Sequence, residues 1–138
     1  MTKEEVLEFI NKNPLFSLAT IEGNLPRVRI MMLYRADENG IIFITTTLKA
    51  VYQQLQANPT IEMCFYNQKD FRQVRIEGNV EILDDMELKK EVVEKLSFLK
   101  PLIESKGYEV LICYKVKNTK AVPWTMETNF EPKQYIQL

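Results

Sequence analysis

PRVRIMMLYRADENGIIFITTTLKAVYQQLQANP, residues Pro26 to Pro59, decides the architecture. It reads as a strand opening with two arginines, a turn, a second strand ending in three threonines, and a helix with a lysine in its first turn. Arg27 and Arg29 are two apart and so share one face of the first strand. Thr47 is placed to cap a helix starting near Leu48, whose free N–H groups and dipole favour an anion. Lys49 adds a mobile positive charge beside them. The set suits a doubly charged phosphate. A basic hairpin followed by an ordinary capped helix has the same spacing, and on these residues alone both readings stand.

Outward from this stretch the chain reads as one unit, residues 1–138, without repeats, linkers or low-complexity segments. Thr2 and Glu5 make a capping-box pattern for a first helix with Val6, Leu7 and Ile10 as its apolar stripe, ended by Asn13-Pro14. Phe16 to Ile21 reads as a strand, and Leu25 to Tyr34 as the next, with Val28, Ile30, Met32 and Tyr34 on one face and Arg27, Arg29, Met31 and Leu33 on the other. Asp37 to Gly40 is a turn, Ile41 to Thr45 a strand, and Leu48 to Ala57 a helix. Ile61 to Tyr66 is apolar enough for a central strand. From Arg72 to Leu83 the alternation is plain, with Gly78 marking a bend or bulge. A helix is predicted over Met86 to Phe98, a helical turn over Pro101 to Lys106, and strands over Glu109 to Val116 and Lys120 to Met126. Antiparallel strands with turn-length connections and short flanking helices imply an α+β barrel.

Composition narrows the function. Hydrophobic content of 46% and charged content of 27% are ordinary for a globular domain. A net charge of −1 provides no general attraction to nucleic acid or anionic lipid. No apolar run approaches the roughly 20 residues of a membrane span, and MTKEEVLEF lacks the apolar core of a signal peptide, so a cytoplasmic location is expected. The chain contains no histidine, which removes Ser-His-Asp and Cys-His catalysis, histidine-ligated haem and the usual zinc sites. The carboxylates show no metal-loop spacing, so no metal is expected. Cys64 and Cys113 lie in apolar runs and are expected to be buried and reduced. Chemistry borrowed from an organic cofactor fits such a chain better than proton-transfer or metal catalysis.

The order of these segments resembles the FMN-binding split β-barrels of the pyridoxamine 5′-phosphate oxidase-like superfamily. The features that carry the resemblance are PRVRIM, the strand GIIFIT, Lys49 at the next helix start, the Asn58-Pro59 pair, and RQVRIEGNVEIL from Arg72 to Leu83. It covers roughly residues 1–120 and implies a six- to eight-stranded antiparallel split barrel. It further implies FMN contacts from Arg27, Val28, Arg29, Ile30 and Met31, from Ile44, Thr45, Thr46 and Thr47, and from Lys49, Gln73, Arg75 and Trp124. Lys49 and an arginine of the first strand would hold the phosphate, and Gln73 would lie near the ring. Arg75 fits either a cofactor contact or a carboxylate across a subunit interface. Trp124 fits a cover for the partner's flavin, a dimer anchor or a core residue. The resemblance implies a homodimer with flavin at the subunit interface and a small-molecule substrate, with NAD(P)H as a possible electron donor. Catalytic residues are left open. EPKQYIQL does not match the segment rich in Arg, Trp and His that holds substrate in the oxidases proper, so oxidation of pyridoxamine phosphate is not expected. A deazaflavin-dependent reductase of the same fold, and a flavin- or haem-binding sensor or storage protein without turnover, are the alternatives.

Overall fold

The capping box forms as expected. The Glu5 N–H donates to the Thr2 hydroxyl at 3.1 Å, and the Thr2 N–H donates to the Glu5 carboxylate at 3.3 Å. It starts α1 (Lys3–Lys12), which is followed by β1 (Leu15–Glu22), β2 (Leu25–Asp37), β3 (Gly40–Thr46), α2 (Ala50–Ala57), β4 (Thr60–Asn67) and β5 (Arg72–Ile82). Next come α3 (Met86–Lys95), a 3-10 turn at Ser97–Leu99 and α4 (Lys100–Lys106); β6 (Leu111–Trp124) and the short β7 (Ile136–Gln137) complete the chain. This computed structural model describes all residues, Met1–Leu138.

The strands are antiparallel in the order β3-β2-β1-β4-β5-β6, and β3 pairs with β6, so six strands close into a barrel with β7 added beside β6. Closure removes the exposed strand edges that an open sheet would leave. Inside, Phe16 packs edge-on against Phe43 at 5.7 Å between ring centroids and against Phe65 at 5.0 Å, and Phe43 meets Tyr114 at 5.4 Å. Leu18, Met63, Val74 and Ile76 fill the rest of this interior. Helix α1 covers the end where β2 finishes and β5 begins: Val6, Phe9 and Ile10 point in, and Asn11 bonds the Ala36 backbone. Helix α2 covers the opposite end through Val51 and Leu55. A second apolar layer lies outside the barrel, where Leu88, Val92, Val93 and Leu99 cover Ile42, Leu111 and Cys113.

One outer face is left bare. Val28 is 70%, Ile30 67% and Met32 57% exposed, and Leu15, opposite Met32, is 58% exposed. These are the outward positions of β2 and β1, while Arg29, Met31 and Leu33 turn inward as the alternation required.

Two expectations about boundaries fail for local reasons. The segments read as two strands, Glu109–Val116 and Lys120–Met126, form one strand of 14 residues. The break is a bulge: Glu77 faces Lys120 and Asn79 faces Lys117, so Gly78 alone opposes Asn118 and Thr119. Asn118 takes a positive φ of 56° there. The helix read over Met86–Phe98 ends at Lys95 and continues as a 3-10 turn and α4. Gly78 itself is needed for close approach, because a Cβ would stand 2.7 Å from the Lys117 carbonyl oxygen and 2.8 Å from Val116 Cγ1. Gly78→Ala is expected to destabilise the fold by about 1–3 kcal/mol, seen as a lower urea midpoint with an unchanged slope.

Candidate functional site

Arg27 and Arg29, the first two of the three arginines of β2, lie toward the α2 end of the barrel. Arg29 is half-buried, and its Nη1 donates to the Leu18 carbonyl at 3.1 Å and to the Thr20 hydroxyl at 2.8 Å. Its Nη2 donates to the side-chain oxygen of Gln54, which also accepts from the Thr20 hydroxyl at 2.6 Å. Every oxygen on Arg29 is therefore neutral. Burial pulls the guanidinium below its ordinary value, and no carboxylate compensates it. Arg27 is spent differently. It pairs with Glu22 at 2.9 Å on the exposed rim, and Gln54 donates its amide N–H to the other Glu22 oxygen at 3.3 Å. Hydrogen bonds from Arg27 first, and then from Gln54, hold the Glu22 carboxyl below the usual range.

The expected cap at Thr47 does not form. Thr47 is still tied to the sheet edge, donating its N–H to the Val110 carbonyl at 2.9 Å, and Lys49 N–H closes a turn onto the Thr46 carbonyl at 3.2 Å. The helix therefore begins two residues later than predicted, at Ala50, with Lys49 as its N-cap. That cap makes no side-chain hydrogen bond, and the first turn carries no acidic residue. Lys49 is exposed. Its position and that of Gln54 differ by five residues, about 7.5 Å along a helix. The β2–β3 ladder ends at Leu33 opposite Phe43, and from there β3 follows β6 as far as Thr46 opposite Leu111. Of the other threonines, the Thr46 hydroxyl accepts the Leu48 N–H at 3.4 Å, and the buried Thr45 hydroxyl has no partner. Ile44 turns away from this group, into the layer under α3.

Gln73, Arg75 and Trp124 form a second group. Gln73 faces Trp124 across the β5–β6 ladder, and its oxygen lies 3.6 Å from the Cys64 sulfur. Arg75 makes no ion pair, and Trp124 donates its indole N–H to Asn129 at 2.8 Å. A cavity of about 360 Å³ opens beside them, under the segment that leads to Tyr135. Thr46 pairs with Leu111, the first residue of β6, and Gln73 with Trp124, the last. The ladders also set Arg75 opposite Cys64, Cys64 opposite Ser17, and Ser17 opposite Ile30, the neighbour of Arg29, so three strand spacings, about 14 Å along the sheet, separate the two groups. Arg27, Arg29, Thr47 and Lys49 thus gather near the start of α2, while Gln73, Arg75 and Trp124 gather three strands away on β5 and β6.

Thr20, Glu22 and Gln54 were missed by sequence reasoning. Gln54 had left a signal: it lies three residues after Val51 and one before Leu55, a polar residue on the inward stripe of a short helix. Thr20 and Glu22 left none beyond strand alternation.

The cysteines are free. Burial pushes the Cys113 thiol up to about 11 and also raises Cys64, which is only half-buried. At pH 8 Cys113 stays protonated and sealed, so no more than one thiol is expected to react with a disulfide reagent in the folded protein, against two in guanidinium. Rapid modification of both without denaturant would contradict this placement. No helix is long and apolar enough to cross a membrane, and no group of His, Cys, Asp and Glu has the geometry to hold a metal ion.

Comparison with known proteins places the chain. The pyridoxamine 5′-phosphate oxidase family profile matches residues 2–119. The pyridoxine/pyridoxamine 5′-phosphate oxidase of Pseudomonas putida (strain GB-1) is 47% identical over 66 residues, which are 47% of this chain and 31% of that protein. The chain therefore spans about a third of the length of the curated relatives it matches. Among solved structures, a NimC/NimA family protein from Clostridium acetobutylicum superposes with a TM-score of 0.79 at 23% identity, covering 98% of this chain and 92% of that one. A pyridoxamine 5′-phosphate oxidase-related, FMN-binding protein from Nostoc punctiforme PCC 73102 gives 0.68 at 18% identity, covering 96% and 88%. Both share the split barrel. With the family profile matched over most of its length, this chain belongs to the pyridoxamine 5′-phosphate oxidase family.

Proposed function

We propose that the protein binds FMN at the interface of a homodimer and carries out redox chemistry on a small molecule, with NAD(P)H as electron donor. One observation carries this reading: Arg29 is a half-buried cation bonded only to neutral oxygens, beside a helix start with no side-chain cap and no acidic residue. A charge desolvated without a counter-ion is costly unless a ligand supplies one. A phosphate monoester does so, through Arg29, Lys49 and the backbone N–H groups at the start of α2. The relatives support a flavin as the molecule that bears it, since the Nostoc neighbour is an FMN-binding protein.

The dimer in this reading rests on the bare outer face of β1 and β2. A two-fold axis through that face would bring Gln73 and Trp124 of a second copy toward Arg29 and Lys49 of the first. The exposed Val28, Ile30 and Met32 suit that contact. Bound FMN supplies the hydride and electron transfer. The chain's own residues anchor the phosphate, keep water from the ring with apolar side chains, and present Thr47 and Gln73 as hydrogen-bonding groups at its polar edges. A cytoplasmic location completes the reading and is in keeping with two unpaired cysteines.

The test is the absorption spectrum of freshly purified protein, followed by anaerobic addition of NADH or NADPH. Flavin bands that bleach on addition are the expected result. Protein that takes up neither FMN nor any other flavin would end this reading.

A further inference from the structure

We infer that Gln54 is the positioning residue that gives the site its preference for a phosphate monoester, acting through Arg29. The inference rests on the assignment of Arg29 to the flavin phosphate. A guanidinium has five N–H donors. On Arg29, two bonds from Nη1 and one from Nη2 go to neutral oxygens of Leu18, Thr20 and Gln54. The Nε–H and one Nη2–H remain for a ligand, and two such donors suit the bidentate grip that arginine makes on phosphate.

Gln54 is what keeps that grip both aimed and charged. It is 6% exposed, and its amide is bonded at both ends. The oxygen accepts from Arg29 and from Thr20, while the nitrogen donates to Glu22 at 3.3 Å. An amide offers an acceptor to the arginine and a donor to the carboxylate at the same time, which neither a carboxylate nor an apolar side chain of that length does. The nearest carboxylate is therefore held on Arg27 and Gln54, one side chain away from Arg29. A carboxylate at position 54 would hold the guanidinium equally well but cancel its charge and face Glu22 as a like charge. An apolar side chain of the same length would leave the charge but lose the aim.

The experiment measures FMN and riboflavin affinity by flavin fluorescence in the full chain, because riboflavin lacks only the phosphate. Gln54→Glu is expected to lower the FMN-to-riboflavin affinity ratio at least roughly tenfold, the scale of one lost charge-assisted contact, with riboflavin affinity nearly unchanged. Gln54→Met is expected to lower the ratio less, by a few-fold. Combining Gln54→Glu with Glu22→Gln removes the like-charge clash. It is expected to recover thermal stability while leaving the ratio low, which a merely structural role would not do. A native ratio in Gln54→Glu, a parallel loss of both ligands, or a ratio that returns with stability in the double variant would each overturn the inference. Arg29→Ala separates the two levels. If it leaves the ratio untouched, the phosphate assignment falls and this inference with it. If it collapses the ratio while Gln54→Glu does not, only the role of Gln54 falls.

Discussion

Ile30→Glu is expected to convert the proposed FMN-binding dimer to a folded monomer that does not retain FMN. Ile30 lies on the outward face of β2, 67% exposed in the single chain and outside the barrel core, so the substitution leaves the fold intact. At a two-fold contact the new charge meets an apolar surface, and burying an unpaired ion costs several kcal/mol, roughly two orders of magnitude or more in dimer affinity. Since each flavin is proposed to bind across the contact between two copies, FMN retention should fall with the dimer. Sedimentation velocity at falling concentration, with and without FMN, reads both effects, and circular dichroism confirms that the monomer is folded. A variant that stays dimeric, or a monomer that holds FMN stoichiometrically, would place the interface elsewhere.

Arg29→Ala is expected to weaken FMN binding by about 1.5–3 kcal/mol, roughly tenfold to more than a hundredfold, and to leave riboflavin binding nearly unchanged. The fold should tolerate the change, because Thr20 and Gln54 remain bonded to each other when the guanidinium is gone. Lys49→Ala should act in the same direction but more weakly and with steeper salt dependence, since Lys49 is exposed and its charge is screened. Equal losses for both ligands in Arg29→Ala would mean that the phosphate does not bind there.

Much of this was legible in the chain. Strand alternation placed Arg29 and Met31 inward and Ile30 outward, and Gly78 announced the bulge that the barrel uses. Capping chemistry found the start of α1. It misplaced the start of α2, because Thr47 has a backbone partner in Val110, some sixty residues on, and no local pattern records a contact across a closing seam. For the same reason β6 was read as two strands: Lys117, Asn118 and Thr119 look like a loop until Gly78 is set against them. The individual binding candidates were visible as residue types in a familiar order. Their division into one group beside α2 and another on β5 and β6 was not, since strand order decides it. Nor was the Thr20–Gln54–Arg29 triangle, which joins a strand, a helix and a second strand.

The seam between β3 and β6 also governs how the barrel is reached. Ile41 pairs with Val116 and Thr46 with Leu111, so the last ring of hydrogen bonds joins stretches made early and late in translation. Until β6 has left the ribosome, β3 and β5 are unprotected sheet edges, and β3 is a run of Ile, Phe and Thr suited to pairing with any strand at hand. Such long-range closure makes for slow folding and an interval of exposure. A nascent chain halted between α3 and α4 would lack β6 and leave the barrel unsealed. Such a chain is a natural client for a chaperone that shields strand edges, a dependence that ends once Leu111–Val116 is free to dock.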